Sequence, residues 1–157
     1  RSLVYILPIR VQRIWLAVDA GLVQQILGQR DWFKVPSAPA QWPGVIAWNG
    51  RAVAVLDLPL LLRFPPLQPG IASHRTLVAK ARGCLLAIPV EEVREAAVIA
   101  EGLVRPIHAT RPVYASHELE LDDMVMPLLD VGLVVAETLE RSNVGSRGIG
   151  SSEQRTR

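Results

Sequence analysis

The feature that most constrains this 157-residue chain is its succession of short apolar segments separated by two-residue turns and prolines. Gly44–Trp48 and Ala52–Leu56 flank the dipeptide Asn49-Gly50, which readily takes the positive φ angles of a tight hairpin turn. A second pair of apolar segments, within residues 76–88, flanks Arg82-Gly83. Twelve prolines and eleven glycines leave little room for long helices. The pattern therefore predicts an all-β fold with a few short helices.

The remaining elements follow from the same signals. Further strands are predicted at Leu3–Leu7, Ile14–Val18, Val93–Ile99 and Met124–Leu129. Three aspartates can cap short helices, which predicts helices over Asp19–Leu27, Leu58–Leu62 and Val131–Glu140. In the first of these, Leu22 and Leu27 are expected to point inward and Val23 and Ile26 to lie nearer the rim.

A short internal repeat predicts two similar subdomains. Val53–Asp57 leads into the predicted helix Leu58–Leu62, and Val125–Asp130 leads into Val131–Val135, 73 positions later. We expect one domain over residues 1–140, with its subdomain boundary near 70–75. Residues 141–157 are rich in Gly, Ser and Arg and are predicted to form a disordered tail.

The charge balance excludes several classes of function. Seventeen basic and fifteen acidic residues give a net charge of +2, of which +3 belongs to residues 141–157. The other 140 residues have no cationic excess, which argues against a nucleic-acid partner. No apolar run approaches 18 residues, which argues against membrane insertion. The single cysteine, Cys84, allows no internal disulfide and fits a reducing cytoplasm.

Residues that could carry chemistry are sparse. None of the usual phosphate-binding, metalloprotease or nucleophile-elbow motifs is present, and the three histidines are far apart. The adjacent Ser116 and His117 are not expected to face each other, and Asp57 and Asp130 are better explained as caps than as general bases. The sequence therefore predicts no catalytic residue, no metal site and no cofactor.

A cluster of aromatic residues leaves two interpretations open. Trp32, Phe33, Trp42 and Trp48 lie within seventeen positions. A small β-subdomain would struggle to bury all four, so they form either an exposed partner-binding patch or a filled core.

Several motifs in order resemble the CheW-like domain family of bacterial chemotaxis proteins over roughly Leu3–Leu139. The motifs that carry the resemblance are Ile14-Trp15-Leu16-Ala17-Val18 with Leu22-Val23-Gln24-Gln25-Ile26, Val35-Pro36-Ser37-Ala38-Pro39 with Gly44-Val45-Ile46, then residues 49–58, 78–99 and 124–130. Their common order and spacing carry the resemblance.

The resemblance implies a fold and a function. The implied fold is two intertwined SH3-like five-stranded β-barrels. The implied function is a non-catalytic signalling adaptor, or scaffold, that couples the tip of a methyl-accepting chemoreceptor to the regulatory domain of a CheA-like histidine kinase. Residues that match the receptor-binding groove are Val23, Gln24, Gln25 and Ile26. Residues that match the kinase-binding strands are Gly44, Val45, Ile46, Asn49, Gly50 and Val55, and there the two glycines are expected to admit the partner.

Two departures from the family pattern are informative. The family usually has Glu at the position of Gln25, and Arg at the position of Asn49, and these two side chains form a pair. Both charges are absent here, so a neutral hydrogen bond between Gln25 and Asn49 is expected. With these departures, the resemblance implies a divergent member of the family that controls motility, pili or another output.

Two alternatives stay open: a small-ligand-binding or enzymatic SH3-like β-barrel protein, and a CheW-like regulatory domain of a larger kinase. A pocket between the barrels with convergent titratable groups would favour the ligand-binding or enzymatic alternative.

Overall fold

The computed structural model describes residues 2–68, 75–107 and 114–140. Thirteen strands lie within these ranges: β1 Leu3–Val11, β2 Ile14–Asp19, β3 Val23–Leu27, β4 Phe33–Lys34, β5 Gly44–Trp48, β6 Arg51–Val55, β7 Arg75–Ala81, β8 Cys84–Val90, β9 Glu92–Val93, β10 Ala97–Ala100, β11 Arg105–Pro106, β12 His117–Leu121 and β13 Met124–Leu128. The helical elements are α1 Leu58–Leu61, α2 Val131–Val134, 3-10 turns at Ala20–Leu22 and Glu101–Leu103, and a π-helical segment at Val135–Glu140.

The strands form two sheets in which corresponding strands lie side by side in the same order. Sheet 1 runs β10-β1-β2-β13-β12-β11, with β9 also beside β1, and sheet 2 runs β3-β7-β8-β6-β5-β4. Each sheet has five strands of four or more residues. The prediction of an all-β fold made of two SH3-like subdomains is thus confirmed. The subdomains are intertwined, because β1 and β2 pair with strands from the far end of the chain.

The expected boundary near residues 70–75 does not separate the two sheets. β7 and β8 follow that point, yet β7 pairs with β3 and β8 pairs with β6, both of which precede it. Sheet 1 instead begins and ends the described chain, and sheet 2 is inserted between its parts. The predicted tail at 141–157 lies outside the described residues.

Both predicted hairpins are present. Asn49 and Gly50 have φ angles of 48° and 72°, and Arg82 and Gly83 have φ angles of 51° and 76°, as a tight hairpin turn requires. Two strand predictions need correction. The strand predicted at Leu3–Leu7 extends to Val11 and includes Pro8, which pairs with Ala17, and the strand expected at Val93–Ile99 is divided into β9 and β10.

The predicted helix over Asp19–Leu27 is wrong. The Asp19 Oδ1 atom does cap a turn, since it accepts a hydrogen bond from the Gly21 amide at 2.9 Å, but the turn ends at Leu22. From Val23 onward the chain pairs antiparallel with β7, with a bulge between Val23 and Gln25. β-branched Val23 and Ile26 suit this extended conformation, and the long-range pairing outweighs the local helix signal.

The internal repeat, a strand followed by a capping aspartate and a short helix, is confirmed. Asp57 Oδ1 accepts a hydrogen bond from the Leu60 amide at 3.0 Å, and Asp130 Oδ1 accepts one from the Leu133 amide at 2.9 Å. The strand before each aspartate makes the parallel contact of its sheet, β6 with β8 and β13 with β2. The last predicted helix is α-helical only through Val134 and continues as a π-helical segment.

Most of the buried apolar surface lies between the two sheets. We call this cluster the seam core; its members include Leu7, Ile9, Leu16 and Val18 of sheet 1, Leu77, Leu86 and Ile88 of sheet 2, and Leu56, Leu58, Val131 and Val134. Smaller cores fill each sheet's other side, around Ile46, Val55 and Val78 in sheet 2 and around Ile6, Leu119 and Met126 in sheet 1. Because the shared cluster is the largest, the two sheets depend on each other for their stability.

Candidate partner-binding surfaces

The four residues predicted to form the receptor groove lie on β3, an edge strand of sheet 2. Gln24, Gln25 and Ile26 are exposed, and Ile26 keeps 41% of its surface accessible. Val23 is half-buried and packs against the seam core, contrary to its expected position at the rim. Ile26 is thus the exposed apolar residue of this strand, next to two glutamines that offer neutral hydrogen bonds.

The Gln25 side chain bonds to Trp48 rather than to the expected Asn49. Trp48 Nε1 donates to Gln25 Oε1 at 2.8 Å. Asn49 occupies the first position of the hairpin turn and is exposed, whereas Trp48 is half-buried against the smaller core of sheet 2. The bond joins β3, at one edge of the sheet, to the end of β5, and so helps to close sheet 2 on itself.

The residues predicted to bind the kinase divide into buried and accessible groups. Gly44, Ile46 and Val55 are buried, with Ile46 and Val55 at 1% and 0% exposure in the core of sheet 2. Their burial removes these three from any docking surface. Val45 is half-buried on the opposite face of β5, and Asn49 and Gly50 are exposed at the turn.

The two glycines of this hairpin serve internal structure. A Cβ atom on Gly44 would lie 2.2 Å from the Phe33 carbonyl oxygen and 2.5 Å from the Trp32 ring, so Gly44 allows β4 to approach β5. A Cβ atom on Gly50 would meet nothing within 4 Å, and the requirement there is the positive φ of the turn. The expected role of Gly44 in admitting a partner is therefore replaced by a packing role.

The face of sheet 2 that bears the seam core on β7 and β8 continues onto β6, β5 and β4, where it is apolar and largely accessible; Ala54 lies at the border and packs against the seam core. Directly paired and alternate residues of neighbouring strands share a face, and the register places five side chains together. We call this set the apolar face: Phe33, Val45, Ala47, Ala52 and Ala54. Phe33 is 64% exposed, Ala47 and Ala52 are exposed, and Val45 and Ala54 are half-buried. None of the five side chains carries a charge.

The equivalent face of sheet 1 has a different character. Superimposing the strand orders places Arg105, Glu118, Glu120, Val125 and Pro127 at the corresponding positions, and we call these the charged face. Arg105 Nε lies 3.3 Å from Glu118 Oε2 across β11 and β12. The two subdomains share one strand arrangement, yet sheet 2 presents an apolar surface where sheet 1 presents an ionic one.

The four clustered aromatic residues divide between the two interpretations. Trp32 and Trp42 are buried at 6% and 4% exposure, whereas Phe33 is exposed. Trp42 Nε1 donates to Thr138 Oγ1 at 3.0 Å, which attaches the π-helical segment to the loop before β5. No local sequence signal predicts this contact, because the two positions are 96 residues apart.

A cleft of about 290 Å³ lies beside β4, and Trp32, Pro39, Asp57 and Leu67 are among the residues that line it. Asp57 is fully buried. Its Oδ1 and Oδ2 atoms accept the Leu60 and Leu67 amides at 3.0 and 2.9 Å. Burial raises the pKa of Asp57 above its ordinary value of 3.8, although these backbone hydrogen bonds act in the opposite direction. The Asp57 carboxylate thus has a structural role, because both of its oxygens accept backbone hydrogen bonds.

A smaller cleft of about 180 Å³ lies next to the turn after β2 and is lined by residues including Asp19, Ser116, His117 and Asp130. Contrary to expectation, Ser116 Oγ and His117 Nδ1 do face each other, at 2.9 Å. Both carboxylates already cap backbone amides. Within the part of the chain that the structure describes, no group of three or more His, Cys, Asp or Glu side chains could hold a metal ion.

The sequence profile of the CheW-like domain family matches residues 6–138. The chain belongs to the CheW-like domain family. The match includes both sheets, the edge strand β3 and the apolar and charged faces.

A solved relative supports the same fold. The CheW-like chain is similar to the crystal structure of the scaffolding protein TtCheW from Thermoanaerobacter tengcongensis, with a TM-score of 0.71 and 17% sequence identity over 81% of this chain and 88% of that one. No curated protein sequence matches the chain. The family match places the chain in a family of chemotaxis signal-transduction adaptors and scaffolds, and the neighbour supports the fold. Among the residues that the structure describes, no helix is both long enough and apolar enough to traverse a bilayer.

Proposed function

We propose that this CheW-like chain is a cytoplasmic, non-catalytic adaptor that couples a methyl-accepting chemoreceptor to the regulatory domain of a CheA-like histidine kinase. Its output is motility, pili or a related surface behaviour. The observation that carries the proposal is the apolar face, together with its contrast to the charged face at the equivalent positions of sheet 1. A sheet face without charge is costly to leave in water unless a partner covers it.

The apolar face is the proposed kinase-binding surface. Val45 lies near the centre of the apolar face, and Asn49 and Gly50 lie at the adjoining turn. This surface therefore includes the accessible members of the group of residues predicted to bind the kinase. Ala47, Ala52 and Ala54 are short, which lets a partner strand or helix approach the sheet closely. Phe33 projects beside them and can fill a pocket on the partner, as aromatic anchors do in stable interfaces.

One substitution tests this surface with little risk to the fold. Ala47 is exposed on β5, and the equivalent position of sheet 1 holds Glu120 on β12. Ala47→Glu therefore introduces a side chain that this strand geometry already accommodates. We expect it to weaken binding to the kinase regulatory domain at least about tenfold, because it buries an unpaired carboxylate in an apolar contact.

The matched control is Glu120→Ala, which removes the same charge from the other sheet. Binding would be measured by surface plasmon resonance against the CheA-like kinases of the same genome, with circular dichroism to show that both variants fold. Equal binding by the parent and Ala47→Glu to every kinase that is captured would contradict the assignment.

The exposed edge of β3 is the proposed receptor-binding surface. Ile26 supplies the apolar contact, Gln24 and Gln25 supply neutral hydrogen bonds, and Val23 lies behind them against the seam core. An amphipathic receptor helix can lay its apolar stripe along such a surface. We expect Ile26→Asp to abolish receptor binding and to spare kinase binding. Val23→Asp is unsuitable as a test, because it places a charge against the seam core and destabilises the fold.

A ligand-binding or enzymatic role has less support. The 180 Å³ cleft that brings His117 close to Asp19 and Asp130 is smaller than the roughly 300 Å³ at which small-molecule sites begin. The larger cleft at Asp57 uses both carboxylate oxygens for backbone hydrogen bonds. A CheW-like regulatory domain of a larger kinase would share the apolar face, but it would capture adaptors rather than kinases in the same binding experiment.

A further inference from the structure

The cleft beside β4 has mostly apolar walls. Its volume of about 290 Å³ is close to the lower end of the range for small-molecule sites. Trp32, Pro39 and Leu67 are among the apolar residues that line it, and only Lys34 and Asp57 of the lining residues carry a charge. These walls can bury the hydrocarbon part of a small ligand. The charged residues then decide which polar group the ligand has.

The two charged lining residues differ in what they offer a ligand. Asp57 is fully buried, and its Oδ1 and Oδ2 atoms already accept the Leu60 and Leu67 amides at 3.0 and 2.9 Å. Lys34 is exposed, and its side chain makes no ion pair or hydrogen bond with any residue that the structure describes. An ammonium group has three donors and no acceptor. The cleft is therefore suited to a hydrogen-bond acceptor, and most of all to an anionic one.

The pairing of β4 with β5 places Lys34 on the cleft side of the sheet. Phe33 belongs to the apolar face, so the next residue, Lys34, points to the opposite face, where it pairs with Gly44. In sheet 1, the position that corresponds to Lys34 holds Pro106. The cation at this position is therefore not part of the strand arrangement that the two sheets share.

The surroundings of the cleft also favour an anion. The half of the molecule built on sheet 2, residues 23–68 and 75–90, has seven basic and two acidic residues, and one of the two acids is the buried Asp57. Two neutral residues that line the cleft, Ser37 and Gln68, add hydrogen-bonding groups. Ser37 has a φ angle of 62°, which favours glycine, so its side chain is present in spite of backbone strain. A positive potential and neutral polar groups thus accompany an apolar cavity.

We propose that the cleft beside β4 binds a small apolar monocarboxylate, with its hydrocarbon part against the apolar walls and its carboxylate on the Lys34 ammonium group. A ligand with two negative charges would keep one of them uncompensated, because Lys34 is the only cation among the lining residues. An amine would meet the same cation and no free carboxylate. The site adds a ligand to the adaptor role and does not depend on the apolar face, since Lys34 and Phe33 point to opposite sides of β4.

Three probes that share a phenyl ring and differ in their head group test the proposal. Phenylacetate, phenylethanol and phenylethylamine are titrated separately into the isotope-labelled full chain and followed by NMR. We expect phenylacetate to shift the backbone amide signals of Lys34, Val35 and Leu67 saturably at concentrations up to about 10 mM. We expect phenylethanol to bind at least about threefold more weakly, and phenylethylamine at least about tenfold more weakly, because neither offers Lys34 an anion. Equal affinity for the three probes, or no saturable shift of these signals by phenylacetate, would overturn the proposal.

A pair of lysine substitutions locates the charge that binds the carboxylate. Lys34→Met keeps most of the length of the side chain and removes its charge, so it should weaken phenylacetate binding at least about fivefold and leave phenylethanol binding unchanged. Lys80 is the other lysine of the chain; it is exposed on β7 and is not among the residues that line the cleft, so Lys80→Met should bind phenylacetate as the parent does. No loss in Lys34→Met, or an equal loss in both variants, would contradict the site. If Lys34→Met fails to fold by circular dichroism, Lys34→Gln replaces it. Lys34→Met should still bind the kinase, so failure of this site and failure of the adaptor proposal are measured separately.

Discussion

Gly44→Ala should be among the most destabilising single-methyl additions in this hairpin. The new Cβ atom would lie 2.2 Å from the Phe33 carbonyl oxygen and 2.5 Å from the Trp32 ring. Neither neighbour can yield easily, because the first is backbone of a paired strand and the second is a side chain at 6% exposure. Relief requires that β4 separate from β5 and that Trp32 lose packing.

The expected cost follows from these two losses. Overpacking of this kind and a disturbed strand pairing together destabilise by about 3 kcal/mol. For a domain of this size, that corresponds to a fall in Tm of about 6–12 °C. Gly50→Ala, in the same hairpin, meets no atom within 4 Å and should cost only about 1 kcal/mol for its positive φ. Urea denaturation followed by tryptophan fluorescence measures both, and equal destabilisation by the two substitutions would refute the reasoning.

Three further predictions concern single side chains. The carboxyl carbon of Asp57 should titrate by NMR with a midpoint above pH 3.8, and a midpoint at or below 3.8 would contradict the raised pKa. Because the folded state then binds this proton more tightly than the unfolded chain does, the stability contributed by Asp57 is present below pH 3.8 and is lost as the pH rises through the raised pKa. Trp42→Phe removes the buried bond to Thr138 and should cost about 1–2 kcal/mol in urea denaturation, so an unchanged midpoint would count against that bond. Gln25→Glu keeps an acceptor for Trp48 Nε1, so the free energy of unfolding should change by less than about 0.5 kcal/mol, and a larger loss would show that the neutral amide itself is required.

The parts of the fold that the sequence predicted are those set by local signals. Asn49-Gly50 and Arg82-Gly83 require positive φ angles that few dipeptides supply, and Asp57 and Asp130 cap the turns that follow them. The family resemblance then supplied what no local pattern carries, the arrangement of the strands in two SH3-like units.

The predictions that were wrong concern residues whose conformation or contacts depend on distant parts of the chain. The segment Val23–Leu27 has spacing that suits a short helix, and only its pairing with the distant strand β7 makes it a strand. The partner of Gln25 was missed for the same reason, because the sheet closes against Trp48 while Asn49 turns into solvent. Ile46 and Val55 were assigned to the kinase-binding surface through the family resemblance alone, and a match of positions does not show which face of a strand is buried.

The most direct test of the account is whether the chain joins a receptor to a kinase. A soluble fragment of the receptor tip is applied to an immobilised CheA-like kinase regulatory domain, with and without this chain. We expect the receptor fragment to be retained only when the chain is present, and we expect the Ile26→Asp variant to bind the kinase without retaining the receptor fragment. Retention of the receptor fragment without the chain, or failure of the chain to bind either partner, would contradict the adaptor function.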